Sequence, residues 1–358
     1  MRIEKIQLYR LRIPLKQPYR ISSAEIRAFD STIVCLEAEG RQGFGEAMAD
    51  VKGYFWETAE GVWDFAREKG PQLLGLEISD AHSKIRSFTK AQPCATTPFL
   101  TAMEMVSGRG ALAPPSDRTR VPMVAILQAS HREAVTSEIK RFIREGYRTI
   151  KVKVGFDVDE DLRRVRWAQE ALEGSVRIRL DANQGYTFPQ AKRLVQNIDP
   201  QGIEFLEQPF PQDDWDAMMK LSRISPIPLG LDESIYGMES VEKARKLKCA
   251  QFVKFKLMKI GSAEALLEHI QECQEYGLGV VLGNGAAGEI SCYHEALLAS
   301  KAAVLVGEMN GYQKQRDFIF TREIQTFAGQ IELLPQCHPQ LDPAKIDAYA
   351  IDRMHIGP

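Results

Sequence analysis

The sequence predicts an α/β fold whose main part is a (β/α)₈ barrel, with a smaller α+β domain beside it. From Val121 onward, short apolar runs alternate with amphipathic helical stretches, the pattern of a parallel sheet covered by helices. Charged residues end successive apolar runs, in steps of 28, 26, 25 and 24 residues from 153 to 181, 207, 232 and 256. A chain of 358 residues is long enough for a barrel and a second domain.

The first third of the chain predicts the smaller domain, which we expect to cap the barrel. Alternating apolar residues over 2–14 and 31–39 predict antiparallel strands, and Glu57–Gly108 has helical periodicity. The run Ala113–Arg120 contains Pro-Pro-Ser-Asp and is typical of a connector. We therefore assign residues 1–118 to this α+β domain.

The central part, residues 119–322, predicts eight strands, most of them followed by a helix. Their apolar runs are Val121–Leu127, Thr149–Gly155, Val176–Asp181, Ile203–Glu207, Pro228–Asp232, Phe252–Leu257, Leu278–Leu282 and Ala303–Glu308. Charged strand ends favour a closed barrel, because the active site of that fold lies at the carboxyl ends of its strands. An open doubly wound sheet is the alternative, but it would not bring five successive strand ends around one centre.

The last part of the chain, residues 323–358, has no core of its own. Glu323–Leu334 is typical of a hairpin, and the polar segment before it follows the last barrel strand. We expect this C-terminal segment to return to the smaller domain.

Composition limits the partners and the compartment. The formal net charge of −2 does not favour nucleic acid or an anionic membrane. No apolar run approaches about 18 residues, and the N-terminal residues lack the apolar core of a signal peptide. Six scattered cysteines without C-x-x-C spacing are typical of buried thiols in a reducing compartment. We expect a cytoplasmic homo-oligomer that acts on a small molecule.

Three carboxylates end consecutive predicted strands: Asp181, Glu207 and Asp232. Mg²⁺ prefers oxygen ligands, and three converging carboxylates without a cation would repel one another. Each acid alone has a plainer interpretation as a helix cap, a turn residue or a strand end. As a regular triplet they predict a metal site.

Lysines flank this triplet. Lys151 and Lys153 alternate with apolar residues, so both project to one face of a strand, and Lys254 and Lys256 share a face in the same way. A lysine acts as a base when its pKa is lowered towards neutrality, and a neighbouring cation has that effect. The alternative is a salt-bridge network in which lysines merely neutralise the acids.

In order and spacing, these residues resemble the enolase superfamily, specifically its muconate-lactonizing-enzyme-like group. That group includes dipeptide epimerases, N-acylamino acid racemases and o-succinylbenzoate synthases. The resemblance covers nearly the whole chain and implies a modified barrel capped by the N-terminal third and the C-terminal tail. It also implies a K-x-K motif at Lys151 and Lys153, acid/base lysines at Lys153 and Lys256, and Mg²⁺ ligands at Asp181, Glu207 and Asp232.

The chemistry that the resemblance implies starts with a substrate carboxylate bound to Mg²⁺. Loss of the α-proton gives an enediolate, and return of the proton on the other face inverts the centre. The expected reaction is racemisation or epimerisation of an amino-acid derivative or dipeptide. The same lysine pair would also serve a muconate-type cycloisomerase or a dehydratase of the o-succinylbenzoate synthase kind.

Two departures from related groups bear on the substrate. The mandelate-racemase-like group needs a histidine at the end of the seventh strand, where this chain has Asn284. Dipeptide epimerases typically carry D-x-D at the eighth strand end to hold the substrate ammonium, where this chain has Glu308-Met-Asn310. Glu308 is either a partial replacement for that motif or a structural cap. We also expect Tyr19 and Tyr54, in loops of the capping domain, to close over the substrate.

Two further classes are disfavoured by particular residues. A metal hydrolase on the same barrel would need H-x-H in the first strand, but Val121–Leu127 contains no histidine. A barrel kept only for binding or structure would not need both lysines and all three carboxylates. The identity of the substrate depends on the shape of the loops around the predicted site.

Overall fold

The computed structural model describes residues 1–21, 24–49, 56–108, 110–172 and 176–358. Tyr54, one of the predicted substrate residues, lies outside these described residues. In this part of the chain, we find no helix with the length and apolar character that spanning a membrane requires.

The smaller domain is an antiparallel sheet with helices packed on it. Its first elements are β1 (Ile3–Ile21), β2 (Ala24–Ala38), β3 (Arg41–Ala47), α1 (Ala59–Lys69), α2 (Ile78–Arg86) and α3 (Pro93–Ser107). Glycine lets α3 approach β3 closely, because a Cβ atom on Gly45 would lie only 2.2 Å from the carbonyl oxygen of Pro98. The predicted loop at Tyr19 is wrong, since Tyr19 lies on β1 opposite Ile26. The strand tolerates Pro18 because the ladder changes register between Pro14 and Tyr19.

The barrel follows, and its strands alternate with helices as predicted. In chain order the elements are β4 (Thr119–Pro122), β5 (Ala125–Leu127), α4 (Arg132–Arg144), β6 (Thr149–Lys153), α5 (Val158–Glu170), β7 (Arg177–Asp181), α6 (Phe188–Asn197), β8 (Ile203–Glu207), α7 (Trp215–Ser222), β9 (Leu229–Leu231), α8 (Met238–Leu247), β10 (Phe252–Phe255), α9 (Leu257–Ile260), α10 (Ala263–Glu275), β11 (Gly279–Leu282) and α11 (Glu289–Ala299).

Strands β5 to β11 form a parallel sheet in sequence order, within the described residues. The eighth predicted strand closes this sheet through two short bridges. Leu305 pairs with Val281 on one side, and Gly307 pairs with Met123 on the other. The predicted barrel is therefore confirmed.

Local sequence fixes where the barrel helices begin. The Asp157 carboxylate accepts hydrogen bonds from the backbone amides of Asp159 and Glu160 at the start of α5. The Ser262 hydroxyl accepts one from the Ala265 amide at the start of α10. The apolar faces of these helices, such as Val165 of α5, are buried against the strands.

The C-terminal part contains β12 (Thr326–Phe327), β13 (Gln330–Leu333), α12 (Pro343–Tyr349) and β14 (Ala350–Ile356). The hairpin of β12 and β13 pairs with β4. Strand β14 pairs antiparallel with β1, so that Ile356 lies opposite Ile6 and the first sheet has the order β14-β1-β2-β3. The predicted domain bounds at 118/119 and 322/323 stay a prediction.

Candidate active site

The carboxyl ends of the barrel strands carry a compact group of ionisable side chains. Adjacent strands place Lys153 opposite Asp181, and Asp181 opposite Glu207, at one level of the sheet. Every member is buried except Lys153, which is half-buried. The group pairs five lysines with five acids, so its formal charges balance: Lys151, Lys153, Lys254, Lys256, Lys259, Asp181, Glu207, Asp232, Glu233 and Glu308.

Lys153 is held in the charged state by its neighbours. Its Nζ donates hydrogen bonds to Oδ2 of Asp181 at 2.6 Å and to Oδ1 of Asn183 at 2.5 Å. Burial disfavours the ammonium, but the attraction of Asp181 outweighs burial and raises the pKa of Lys153. The backbone amide of Asn183 also donates to Oδ1 of Asp181 at 2.9 Å, which fixes that carboxylate.

Lys256 is in a different electrostatic situation. Its Nζ donates to both carboxylate oxygens of Asp232, at 2.6 and 2.8 Å. Burial lowers the pKa of Lys256, and the neighbouring Lys254 lowers it further, despite the attraction of Asp232. Lys256 immediately precedes α9, and Oε1 of Glu295 accepts a hydrogen bond from the first amide of that helix, Leu257, at 3.0 Å.

The two lysines approach the barrel axis from opposite sides. Lys153 ends β6 and Lys256 follows β10, with three strands of the parallel sheet between them. In an eight-stranded barrel, strands four places apart face each other across the axis. A small molecule bound at the strand ends would therefore have one lysine on each face.

Below these groups, Glu308 joins two further lysines. Lys151 donates to Oε1 and Oε2 of Glu308 at 3.2 and 3.0 Å, and to Oε1 of Glu207 at 3.0 Å. Lys254 donates to Oε2 of Glu308 and, at 3.1 Å, to Oε1 of Glu207. Burial opposes ionisation of Glu308, but Lys151 and Lys254 outweigh burial and hold its pKa well below the usual value. Both carboxylate oxygens of Glu308 are thus engaged by lysines.

The carboxylate triplet suits a hard divalent cation in its chemistry. In the described part of the chain, no acids, histidines or cysteines are arranged in threes as a formed metal centre, because Asp181, Glu207 and Asp232 turn towards lysines. One oxygen remains available, since Oε2 of Glu207 is buried and has no hydrogen-bond partner among the described residues. Burial raises the pKa of Glu207, and Asp181 raises it further, so a cation between these acids would relieve an unfavourable charge.

Three further predicted substrate residues, Tyr19, Asn284 and Asn310, are among the described residues. Tyr19 projects from the capping sheet; burial raises the pKa of its hydroxyl, and Lys153 is its strongest charged neighbour. Asn284 and Asn310 are buried and bonded within the fold. The side-chain oxygen of Asn284 accepts from the Ala286 amide at 2.9 Å, and the amide group of Asn310 donates to the carbonyl oxygen of Val124 at 3.0 Å.

Four charged residues of the site were not among the predicted catalytic, metal or substrate residues: Lys254, Glu233, Lys259 and Lys314. Glu233 directly follows Asp232, and its Oε1 accepts from the Asn183 side chain at 3.2 Å. Lys259 donates to the carbonyl oxygen of Asp232 at 3.0 Å, one helical turn after Lys256. Their closeness in sequence to predicted residues was a usable signal. Lys314 follows the predicted Asn310 by four residues, and the turn Gly311–Lys314 places it.

Lys314 lies between the loops after the seventh and eighth strands. Its Nζ donates to the carbonyl oxygen of Gly285 at 2.7 Å and lies 3.5 Å from Oδ1 of Asn310. It also lies 4.7 Å from the centre of the Tyr19 ring. The turn Gly311–Lys314 thus brings a sixth lysine to the edge of this charged group.

Comparison with known proteins identifies a matching family and similar proteins. Residues 134–337 match the family model described as enolase C-terminal domain-like. The N-succinyl-L-Arg/Lys racemase of Bacillus cereus is 27% identical over 340 residues, covering 90% of each chain. Its crystal structure superposes with a TM-score of 0.89 over 99% of this chain and 100% of that one, at 23% identity.

Two further solved structures share the fold at lower identity. The dipeptide epimerase of Cytophaga hutchinsonii, solved with Mg and the dipeptide D-Ala-L-Val, has a TM-score of 0.85 at 20% identity and full coverage of both chains. The muconate lactonizing enzyme of Pseudomonas putida has a TM-score of 0.86 at 22% identity, covering 98% of this chain and 100% of that one.

Proposed function

Because the chain belongs to the enolase C-terminal domain-like family, in the muconate-lactonizing-enzyme-like subgroup of the enolase superfamily, we propose that it moves a proton at the carbon beside a substrate carboxylate. The chain is an isomerase of that superfamily. The overall reaction that we propose is racemisation or epimerisation of an amino-acid derivative.

The observation that carries this proposal is the opposition of Lys153 and Lys256 across the barrel. Inversion at a carbon requires one group to remove the proton from one face and another to return a proton on the opposite face. Two lysines at facing strand ends provide this geometry.

The charge states of the two lysines suit opposite roles. Removal of a proton requires a neutral amine, and the lowered pKa of Lys256 favours that state. Return of a proton requires an ammonium, and Asp181 and Asn183 hold the proton on Lys153. For the other enantiomer the two roles are exchanged, which requires the opposite distribution of protons at the start of turnover.

We propose Mg²⁺ as the cofactor, held by Asp181, Glu207 and Asp232. When bound, the cation would supply positive charge to the substrate carboxylate, where negative charge accumulates as the α-proton leaves. The free Oε2 of Glu207 and the oxygen-only donor set support this assignment. The Cytophaga hutchinsonii relative was solved with Mg.

An N-acylated amino acid fits the site better than a dipeptide with a free ammonium. In the D-x-D arrangement of dipeptide epimerases, acids at the eighth strand end hold that ammonium. Here both oxygens of Glu308 are already bonded to Lys151 and Lys254, so a substrate ammonium would have to displace a lysine. The Bacillus cereus relative is a racemase of N-succinylated amino acids.

The second candidate is a cycloisomerase or dehydratase that uses the same first step. The observation that favours it is the firm bonding of Lys153 to Asp181 and Asn183, which suits a purely electrostatic role for that ammonium. Only Lys256 would then transfer a proton.

Proton NMR in D₂O separates these reactions. The enzyme with MgCl₂ is mixed with each enantiomer of N-succinyl and N-acetyl amino acids and with dipeptides. For a racemase, the α-proton signal of both enantiomers disappears without a new product, EDTA stops the exchange, and added Mg²⁺ restores it. A product with a new double bond or ring indicates the second candidate.

Two lysine variants test the two-lysine mechanism directly. Lys153→Ala and Lys256→Ala should each lower the rate of α-proton exchange from one enantiomer by at least about 100-fold. Lys140→Ala, at an exposed lysine on α4, is the matched control and should leave both rates unchanged. Unaltered exchange from both enantiomers in both active-site variants would defeat the mechanism.

A further inference from the structure

Lys314 differs from the five lysines that balance the five acids of the active site. Lys151, Lys153, Lys254 and Lys256 each bond a carboxylate within 3.0 Å, and Lys259 lies 3.8 Å from Oδ1 of Asp232. Among the described residues, no carboxylate forms an ion pair with Lys314. Its two hydrogen-bond acceptors are uncharged oxygens, those of Gly285 and Asn310.

A half-buried ammonium with uncharged partners is in an unfavourable position. Transfer of a charge out of water costs free energy that neutral acceptors and an aromatic ring return only in part. Burial lowers the pKa of Lys314 to about 8, despite the attraction of Glu308. An anion placed beside Nζ would therefore be bound more tightly here than by a lysine already paired with an acid.

Lys314 lies at the edge of the charged group, near Glu308 and Tyr19. A methyl group built on Gly285 would lie 3.0 Å from Oε1 of Glu308 and 3.6 Å from Nζ of Lys314, so both charged groups border that residue. Tyr19 lies against Nζ and has Lys153 as its strongest charged neighbour. Lys314 thus lies beside Tyr19 and near Glu308, and its hydrogen bonds go to none of the proposed metal ligands.

We propose that Lys314 binds a second carboxylate of the substrate, remote from the carboxylate at the reacting centre. This inference rests on the proposed function and narrows its substrate class to dianionic amino-acid derivatives. The second carboxylate has two chemical sources: a dicarboxylic acyl group on the α-nitrogen, such as succinyl, or an acidic side chain. In either case the ammonium of Lys314 gains the anionic partner that the fold does not give it.

Lys314→Met tests the proposal, because methionine keeps the length of the side chain and removes its charge. The substrates are the N-succinyl and N-acetyl forms of one neutral amino acid, and N-acetylglutamate with N-acetylglutamine. Loss of a charge-assisted hydrogen bond should lower kcat/KM for the substrate with the second carboxylate by about 10- to 100-fold, mainly through KM. Its neutral counterpart should change by no more than about twofold.

The substrate pair whose preference is lost in Lys314→Met identifies the source of the second carboxylate. A response of the N-succinyl and N-acetyl pair indicates the acyl group, and a response of N-acetylglutamate and N-acetylglutamine indicates the side chain. Lys314→Arg should keep most of the preference for the dianionic member, because the charge is retained. The matched control is Lys16→Met, since Lys16 bonds the carbonyl oxygen of Gln313 next to Lys314 but lies outside the site. An equal loss for dianionic and neutral substrates in Lys314→Met would indicate that Lys314 only braces the loops, and would overturn the proposal, as would no change at all.

A binding measurement separates this inference from the proposed function. Calorimetric titration with N-succinylglycine and N-acetylglycine, in the presence of Mg²⁺, requires no racemisation. If the wild-type enzyme exchanges no α-proton of any N-acylamino acid, the proposed function fails. The inference still stands if N-succinylglycine binds more tightly than N-acetylglycine and Lys314→Met removes the difference. It fails if the two ligands bind alike, or if the difference survives in that variant.

Discussion

Lys151 and Lys254 owe their charge to the acids packed around them. Burial disfavours the ammonium of Lys254, but Asp232 and Glu207 outweigh burial and raise its pKa. Asp181, Glu207 and Glu308 act in the same way on Lys151, which bonds all three. Such a group is stable only as a whole, because each buried charge depends on the opposite charges beside it.

Glu308→Gln should therefore destabilise the protein by about 3 kcal/mol, because it removes one negative charge and leaves two lysines incompletely balanced. Urea unfolding at neutral pH measures the free energy. Glu239→Gln is the control: its pair with Lys90 has both side chains 91% exposed, and the change should be within about 0.5 kcal/mol. A loss for Glu308→Gln as small as that of the control would contradict the balanced cluster.

His294 shows the opposite case, a histidine kept neutral by the core. It lies in α11, away from the strand ends, stacked on Phe44 with the ring centres 6.0 Å apart. Its Nε2 is buried without a hydrogen-bond partner among the described residues. Burial, together with the nearby His338, lowers the pKa of His294 to about 3.

This depressed pKa predicts a pH-dependent stability. The unfolded chain takes up a proton on His294 below about pH 6.5 and the folded protein does not, so stability is complete above that pH and falls as the pH decreases towards 3. His294→Phe should remove this contribution. The free energy of unfolding of the variant, relative to wild type, should rise by about 2 kcal/mol between pH 7.5 and pH 5.

Urea titrations of both proteins at the two pH values provide the measurement, and the difference between them cancels the titration of other groups. His131→Phe, at an exposed histidine, is the control and should have the same effect at both pH values. A constant difference for His294→Phe as well would mean that His294 takes up a proton as readily in the folded protein as in the unfolded chain.

At the scale of elements, glutamates of the capping domain complete the starts of two barrel helices. Glu104 of α3 accepts hydrogen bonds from the Ser262 hydroxyl at 2.6 Å and from the Ala263 amide at 2.9 Å, at the start of α10. Glu46 of β3 accepts one from the Ser291 amide at 2.9 Å, in the first turn of α11. A carboxylate at a helix N-terminus accepts hydrogen bonds from amides that lack a partner within the helix. Its negative charge also interacts favourably with the positive end of the helix dipole.

Glu104→Ala should lower the free energy of unfolding by about 2 kcal/mol, because the start of α10 loses a buried cap supplied by another element. Chemical denaturation of the full chain measures the loss. Glu268→Ala, at an exposed position of the same helix, should cost less than about 0.5 kcal/mol. Equal losses for the two variants would show that Glu104 contributes nothing beyond its side-chain volume.

At the scale of the whole molecule, the barrel was predictable because its signal is periodic. Each strand repeats after one helix, and Asp181, Glu207 and Asp232 mark consecutive strand ends in the sequence itself. The opposition of Lys153 and Lys256 follows once the strands are counted around a closed barrel.

The remaining features depend on contacts between distant segments. The burial of Glu308 between two lysines requires the barrel to be closed, and the approach of Lys314 to Tyr19 requires the capping sheet. Pro18 is typical of a loop, but the long pairing of β1 with β2 carries the strand past it to Tyr19. No local pattern contains this information.

The pairing of β14 with β1 also has a consequence for synthesis on the ribosome. Residues 6–11 of β1 find their partners 350–356 only after the whole barrel has been translated. At about 5–20 residues per second, one edge of β1 waits on the order of tens of seconds with unpaired backbone groups. An open strand edge pairs readily with other chains, so the nascent protein is most exposed to aggregation, and most in need of a chaperone, during that interval.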